Sequence, residues 1–330
     1  MIKKTGPVAP RRNILWSILI TSCLFLVAGC HPNKPEKTSG VPANPSMAQR
    51  PPTSSSDVQK QHEEAERQFR PDIESQRQQN QKEAEQGLDQ DAIAAIQQTE
   101  EAVKDIAANK KSDALSAIEK ATGKINVLLA RNPATALIPV SAEVVLIDSA
   151  PTDVKTIDQI VQQAAATVKD KDLPAARVLL ATLVSEIRIR TSSLPLATYP
   201  AALTQAARLL DQGKNQDAGK VLLTALNTLV IIEHVIPLPL LLSQAAISAA
   251  DSQRQNKDTA LTLLETARNE LNRSRALGYL SNDPEYRALD KQISDLKSGI
   301  TGKGNLDSMF SQLRDRISAF LKRQKDRERR

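Results

Sequence analysis

Tyr199-Pro-Ala-Ala-Leu-Thr-Gln-Ala-Ala-Arg-Leu-Leu-Asp-Gln-Gly-Lys-Asn-Gln-Asp-Ala-Gly-Lys-Val-Leu-Leu-Thr-Ala-Leu226 decides the fold class. Ala and Leu recur through it at helical spacing. The polar run Gln212-Gly-Lys-Asn215 interrupts them once. Helix, three to five polar residues, helix is the pattern of an αα-hairpin.

The pattern recurs on both sides. Asp113-Ala-Leu-Ser-Ala-Ile-Glu-Lys-Ala121, Pro174-Ala-Ala-Arg-Val-Leu-Leu-Ala-Thr182, Asp217-Ala-Gly-Lys-Val-Leu-Leu-Thr-Ala225 and Thr259-Ala-Leu-Thr-Leu-Leu-Glu-Thr-Ala267 align with one another. Each follows a short polar turn: Asn109-Lys-Lys-Ser112, Lys169-Asp-Lys-Asp172, Gln212-Gly-Lys-Asn215 and Arg254-Gln-Asn-Lys-Asp258. Ala114, Ala175, Ala218 and Ala260 are spaced by 61, 43 and 42 residues. Such internal repetition signals stacked supersecondary units. The expectation is a mainly all-α body over residues 88–290, built of tandem antiparallel helical hairpins. Leu115, Ile118, Ile125, Leu128 and Leu129 fall on one helix face. Val221, Ala225, Leu229, Ile232 and Ile236 form a similar stripe, with Leu222, Leu223, Leu226 and Val230 on the other sides. That stretch reads as the most buried helix, ending at Pro237. Glu233, His234, Pro237 and Pro239 interrupt it too early for a membrane span.

Two segments break the helical period. Ile138-Pro-Val-Ser-Ala-Glu-Val-Val-Leu-Ile-Asp148 is rich in β-branched residues. In Glu186-Ile-Arg-Ile-Arg-Thr191, apolar and charged residues alternate as in a half-buried strand. The two are expected to pair as a small two-stranded ribbon.

Outward from the body, the N-terminus reads as an export signal over residues 1–29. Lys3, Lys4, Arg11 and Arg12 precede an apolar run of 14 residues at 14–27. That run is too short to span a bilayer but suits a signal peptide. It ends in Leu26-Val27-Ala28-Gly29-Cys30, which resembles the bacterial lipobox. The resemblance implies lipidation at Cys30 with three acyl chains, enough for stable anchoring. His31 follows, where an Asp would favour inner-membrane retention, so the expected address is the periplasmic face of the outer membrane. Cys23 leaves with the signal, so no free thiol is expected in the mature chain.

Residues 30–57 hold six prolines among Ser, Asn, Thr and Lys, the composition of an extended linker. Residues 58–87 are rich in Gln, Glu, Lys and Arg and read as a solvated helix without a face to bury, broken at Pro71. Residues 291–330 begin with a flexible joint at Gly299, Gly302 and Gly304. A basic amphipathic tail follows, with Leu306, Met309, Phe310, Leu313, Ile317, Phe320 and Leu321 at helical spacing. It reads either as a solvated helix end or as a helix lying on anionic lipid or polymer.

The basic balance does not indicate nucleic acid. The chain is +6 overall, but residues 88–290 carry 21 Lys and Arg against 24 Asp and Glu, and aromatics make up 2% of the chain. Stacking and phosphate-binding surfaces need more of both.

Chemistry is sparse. No Cys/His/carboxylate group has metal-ligand spacing. There is no phosphate loop and no nucleophile elbow. The expectation is a protein that is not an enzyme and needs no cofactor. His31 and His62 lie in the linker and the polar stretch. Glu233-His234 is the one suggestive pair: either a pH-sensing couple in an apolar helix or a structural histidine hydrogen-bonded to a nearby turn.

The 199–226 stretch, the preceding Leu194-Pro-Leu196 and the segment Ile138-Pro-Val-Ser-Ala-Glu-Val145 resemble the YfdX family, over roughly residues 90–275. The resemblance implies a mainly helical, exported bacterial protein loosely associated with envelope stress, and it carries over no catalytic residues. This chain departs from simpler members in its lipobox and its C-terminal extension. Two functions fit. One is a membrane-anchored binding or scaffolding module for a protein or peptide partner, since stacked hairpins make extended binding surfaces; self-association into a homo-oligomer is compatible with it. The other is a structural spacer between outer membrane and cell wall.

Overall fold

Every second helix of the first three hairpins runs into a β-strand, and this makes the architecture a set of helix-helix-strand units. The computed structural model describes residues 55–133, 135–279, 281–302 and 304–327. The expected signal peptide, Cys30, His31 and nearly all of the expected linker lie outside the described residues.

The first unit is α2 (Gln90–Ala107), α3 (Lys111–Arg131) and β1 (Leu137–Asp148). The second is α4 (Val154–Lys169), α5 (Leu173–Ala181) and β2 (Ser185–Pro195). The third is α6 (Tyr199–Asp211), α7 (Asn215–Leu226) and β3 (Val230–Pro237). A fourth hairpin, α8 (Leu238–Ser252) with α9 (Lys257–Ala276), is followed by α10 (Glu285–Thr301) and α11 (Leu306–Arg327). One long helix, α1 (Ser55–Gln86), precedes them all. The mainly helical reading and the four hairpins hold.

Asp89, Asp153, Asp172 and Asn256 start α2, α4, α5 and α9 by accepting from backbone N–H groups of the first turn, satisfying donors that have no partner within the helix. Asn109, Lys171 and Gly213, all at positive φ, turn the first three hairpins.

The strands form one antiparallel sheet in the order β1-β2-β3. Val144 faces Ile189 across β1 and β2, and Ile189 faces His234 across β2 and β3. The expected ribbon is therefore present, but it is three-stranded. The third strand corrects the reading of 221–236 as one buried helix. α7 stops at Leu226, and Val230, Ile231 and Ile232 extend along the free side of β2. A short apolar run fits either period, and this one is β-branched, which favours the pleated form beside an available edge. Nor is it the most buried segment, since Ile231 is 59% exposed. That place belongs to α8, where Leu238, Leu240, Leu242, Ala246, Ile247 and Ala250 are all buried. Pro237 and Pro239 open α8 rather than close a helix, Pro239 in its first turn, where a missing N–H costs nothing.

Two cores result. Alanine-rich faces of α2–α3 pack against α6–α7 through residues such as Ala95, Ala117, Ile125, Leu203, Ala206 and Leu222. The second core joins α8, α9, α10, α11, α1 and the inner face of the sheet. No helix among the described residues is long and apolar enough to cross a membrane.

Both ends of the chain depart from expectation. α1 is continuous through Pro71. It buries Ala65, Phe69 and Ile73, a stripe at i, i+4 and i+8. Phe69 and Ile73 clamp the helix on both sides of the proline, so tertiary packing compensates for the lost backbone bond. α1 also covers the outer edge of β1. Gln81 Oε1 accepts from the Val144 N–H at 2.8 Å, and Arg77 Nη1 donates to the Val144 carbonyl at 3.0 Å. An edge strand needs such cover. The tail is not free either. Phe310, Leu313, Ile317 and Phe320 are fully buried, and Phe320 meets Tyr286 edge-on at 5.1 Å. The glycines between α10 and α11 serve close packing rather than flexibility: a Cβ at Gly299 would lie 3.1 Å from Met309 Sδ. Residues 52–330 form one compact unit.

Phe69→Ala tests whether α1 belongs to the core. It should destabilise the whole unit by about 3–5 kcal/mol, as large-to-small core changes do, in a single urea transition followed by circular dichroism. A helix lying free in solvent would leave that midpoint unchanged.

Candidate functional site

Where α1, α9 and the end of β1 meet, four charged or titratable side chains from distant parts of the chain converge. α9 supplies Glu270 and Arg273, three residues apart and so on one helix face. β1 ends in Asp148. α1 brings His62.

Arg273 is the most deeply buried, with a side chain 1% exposed. Its guanidinium donates to the Pro151 carbonyl at 3.0 Å, the Ala150 carbonyl at 2.9 Å, Asp148 Oδ1 at 2.8 Å and Glu270 Oε2 at 3.4 Å. A charge removed from water is tolerated when its donors are satisfied in this way. Glu270, also buried, turns its other oxygen to His62, with Nδ1 to Oε1 at 2.6 Å. The second ring nitrogen, Nε2, faces Asp148 Oδ2 at 3.8 Å, beyond hydrogen-bond range.

Beside this cluster lies a second one. Buried Glu186 on β2 accepts from the Tyr279 hydroxyl at 2.8 Å and pairs with Arg188 at 2.6 Å. The Tyr279 hydroxyl accepts from the Ser185 backbone N–H at 3.1 Å. Tyr286 donates to the Tyr279 carbonyl at 2.5 Å. Burial pushes the Tyr286 hydroxyl pKa up to about 12 and raises that of Tyr279 further, so both stay protonated donors. These bonds fix the segment after α9 onto the start of β2.

The histidine pKa reflects opposing influences. Burial pushes it down. The hydrogen bond and charge of Glu270 push it up with help from Asp148, Arg273 works against them, and the result is a pKa raised above the ordinary 6.5. The cluster can therefore hold a proton.

Glu233 and His234 are not a couple. They are neighbours on β3, and successive strand residues point to opposite faces. Glu233 pairs across the sheet with Arg190 at 2.8 Å and lies 3.9 Å from Arg188. His234 faces the other way, and its Nδ1 has no hydrogen-bond partner. The helix expected to hold them side by side does not exist, and the geometry moves attention to His62. Sequence spacing does not pair His62 with Glu270, since 208 residues separate them. One sign was available: His62, Ala65, Phe69 and Ile73 share a helix face amid polar residues.

Two clefts flank α1. One of about 520 Å³ lies against α8, lined by residues including Phe69, Ile73, Leu241 and Gln244. The other, about 300 Å³, lies against α9 and is lined by residues including Gln61, Ala65, Thr259 and Leu263. Both mix carboxylate, amide, hydroxyl and aliphatic groups.

Helix-helix-strand units closed by a buried ionic cluster define a mainly helical protein with a small antiparallel sheet. The family model described as "YfdX protein" matches residues 95–235 of the chain. A solved structure of Salmonella Typhi YfdX is 15% identical, with the match covering 46% of this chain and 93% of that one at a TM-score of 0.31. A score that low does not extend the likeness to the arrangement of the elements. No curated protein matches the sequence. His62, Glu270 and Arg273 lie outside residues 95–235, whereas Asp148 lies inside.

A histidine with a raised folded-state pKa stabilises the fold while protonated. Its contribution is complete below the unfolded value near 6.5 and is lost as pH rises through the folded value. In metal-free buffer, the urea midpoint of the wild type should fall between pH 6 and pH 8.5 by more than that of His62→Gln. Parallel pH profiles for the two proteins would contradict this role for His62.

Proposed function

We propose that the protein is a lipid-anchored, non-enzymatic envelope protein that uses its α4–α5 hairpin to hold an apolar helical segment of a protein partner. One observation carries the binding reading. Hairpin α2–α3 packs on α6–α7, and α8–α9 packs with α10, α11 and α1, but α4–α5 contacts chiefly itself and α9. It exposes Val161, Val168, Leu173, Val178 and Leu180, with Val178 at 68%. Of its 25 residues, only Ile157, Ala164 and Ala176 are buried. Scattered surface apolar residues are ordinary, whereas several on one small element mark an interaction surface. In this chain such helix pairs bury their apolar faces against other helices, so a helical partner is the matching occupant. Holding an exposed segment of another envelope protein is compatible with a role under envelope stress.

The anchoring part rests on the sequence at residues 1–30, where the lipobox-like ending places the lipid on Cys30. Outer-membrane attachment on the periplasmic side follows from His31 at the next position. The spacer alternative loses one of its supports, because α11 buries its apolar face against α8 and α10 and does not present it to a lipid or polymer surface.

A photo-crosslinking residue at Val178 should capture a discrete protein in intact cells, and the Leu173→Asp, Val178→Asp double variant should lose that complex while keeping its urea midpoint. Adducts no different from those at exposed Lys169 would overturn the docking surface, and capture of a second copy would redirect it to self-association. Separately, Cys30→Ala should move the protein from the membrane fraction to the soluble fraction. Retention in the membrane fraction would refute lipid anchoring at that residue.

A further inference from the structure

We infer that His62, Glu66 and Asp148 form a binding site for one divalent cation of the zinc class, which bridges α1 to the end of β1. His62 and Glu66 are one helical turn apart on α1 and so share a face. The histidine nitrogen and one carboxylate oxygen from each acid all lie within 4.8 Å of one another. Zinc binds imidazole nitrogen and carboxylate oxygen at about 2.0–2.2 Å, which needs ligand atoms about 3.2–3.6 Å apart. Rotation of the Glu66 side chain, 30% exposed, brings its oxygen inward.

The surroundings are those of a built site. His62 Nδ1 bonds Glu270 at 2.6 Å. With the ring proton held on that side, Nε2 presents its lone pair to the site. A carboxylate behind the ring is the usual support of a metal-binding histidine. Asp148 is divided in the same way: Oδ1 takes the Arg273 guanidinium at 2.8 Å, while Oδ2 faces the His62 Nε2 at 3.8 Å. Arg273 thus orients the aspartate without using the oxygen a cation needs.

Charge supports a dication. Glu66 and Asp148 supply two negative charges at the site. Glu270 and Arg273 oppose each other behind it. Arg70 pairs with Glu66 but is 65% exposed, so it can swing into solvent. One imidazole with two carboxylates suits zinc and its neighbours. Calcium takes six to eight oxygens and magnesium keeps an octahedron of them. A fourth position, on the open side of Glu66, is left for water.

The consequence is structural. α1 is the helix that follows the linker from Cys30, and a cation held by α1 and β1 together would fasten it to the sheet. The test uses the full-length protein purified in detergent, treated with a chelator and dialysed. Titration calorimetry with zinc chloride, in excess magnesium and calcium, should show one equivalent bound and a raised thermal midpoint. His62→Gln and Glu66→Gln should each weaken binding at least tenfold and abolish the thermal shift. Glu66→Gln keeps the test open should His62→Gln fail to fold, since Glu66 is half-buried and its pairing is with exposed Arg70. Absence of zinc binding, or equal affinity in wild type and Glu66→Gln, would overturn the site.

Discussion

The Arg273 guanidinium is the charge around which the second core is arranged. It is buried, where an unpaired cation would be untenable, and it is tolerated because β1, the loop after it and α9 all supply acceptors. Removing one partner from such a group typically costs about 3–5 kcal/mol, although the intact pair need not add stability over an apolar substitute. What it supplies is position. Asp148 and the Ala150 and Pro151 carbonyls can satisfy Arg273 only if β1 ends where it does. Glu270, held on the other side, is aimed at α1. The docking of α1 through His62 is therefore a consequence of how Arg273 is satisfied.

The same logic separates the two halves of the molecule. The alanine-rich core of α2, α3, α6 and α7 is an ordinary packing of small faces, where absent side chains let helices approach closely. The other core is more varied. It combines leucines of α8, aromatic residues of α10 and α11, the inner face of the sheet and the apolar stripe of a helix that is otherwise Gln and Glu. Between them lies the small sheet: Arg77 and Gln81 cover its β1 edge, and α11 contacts β3. The hairpin α4–α5 stands apart from both cores.

Repetition was the legible part of the sequence. Ala114, Ala175, Ala218 and Ala260 mark the second helix of each hairpin, and the alternation around Ile187 and Ile189 marks the central strand. β3 was hidden because Val230, Ile231, Ile232, Val235 and Ile236 fit a helical stripe as well as a strand, and only the free side of β2 decides between them. α1 was hidden for the opposite reason. Five apolar residues (Val58, Ala65, Phe69, Ile73 and Ala84) in a helix of 32 give too weak a pattern to announce a buried face, and Pro71 argued against continuity. The ionic cluster could not be read from spacing at all. Its members come from three elements, and the pair Glu233-His234 drew attention only because adjacency in sequence resembles adjacency in space, which a strand prevents.

α1 is an integral, clamped element of the folded body. Hydrogen exchange of the full chain measures it directly. The amides of residues 60–84 should exchange as slowly as those of α8 and α9, on both sides of Pro71, and His62→Gln should accelerate those N-terminal to the proline first. Exchange through this segment at the rate of an unstructured chain, with α8 and α9 still protected, would contradict the account.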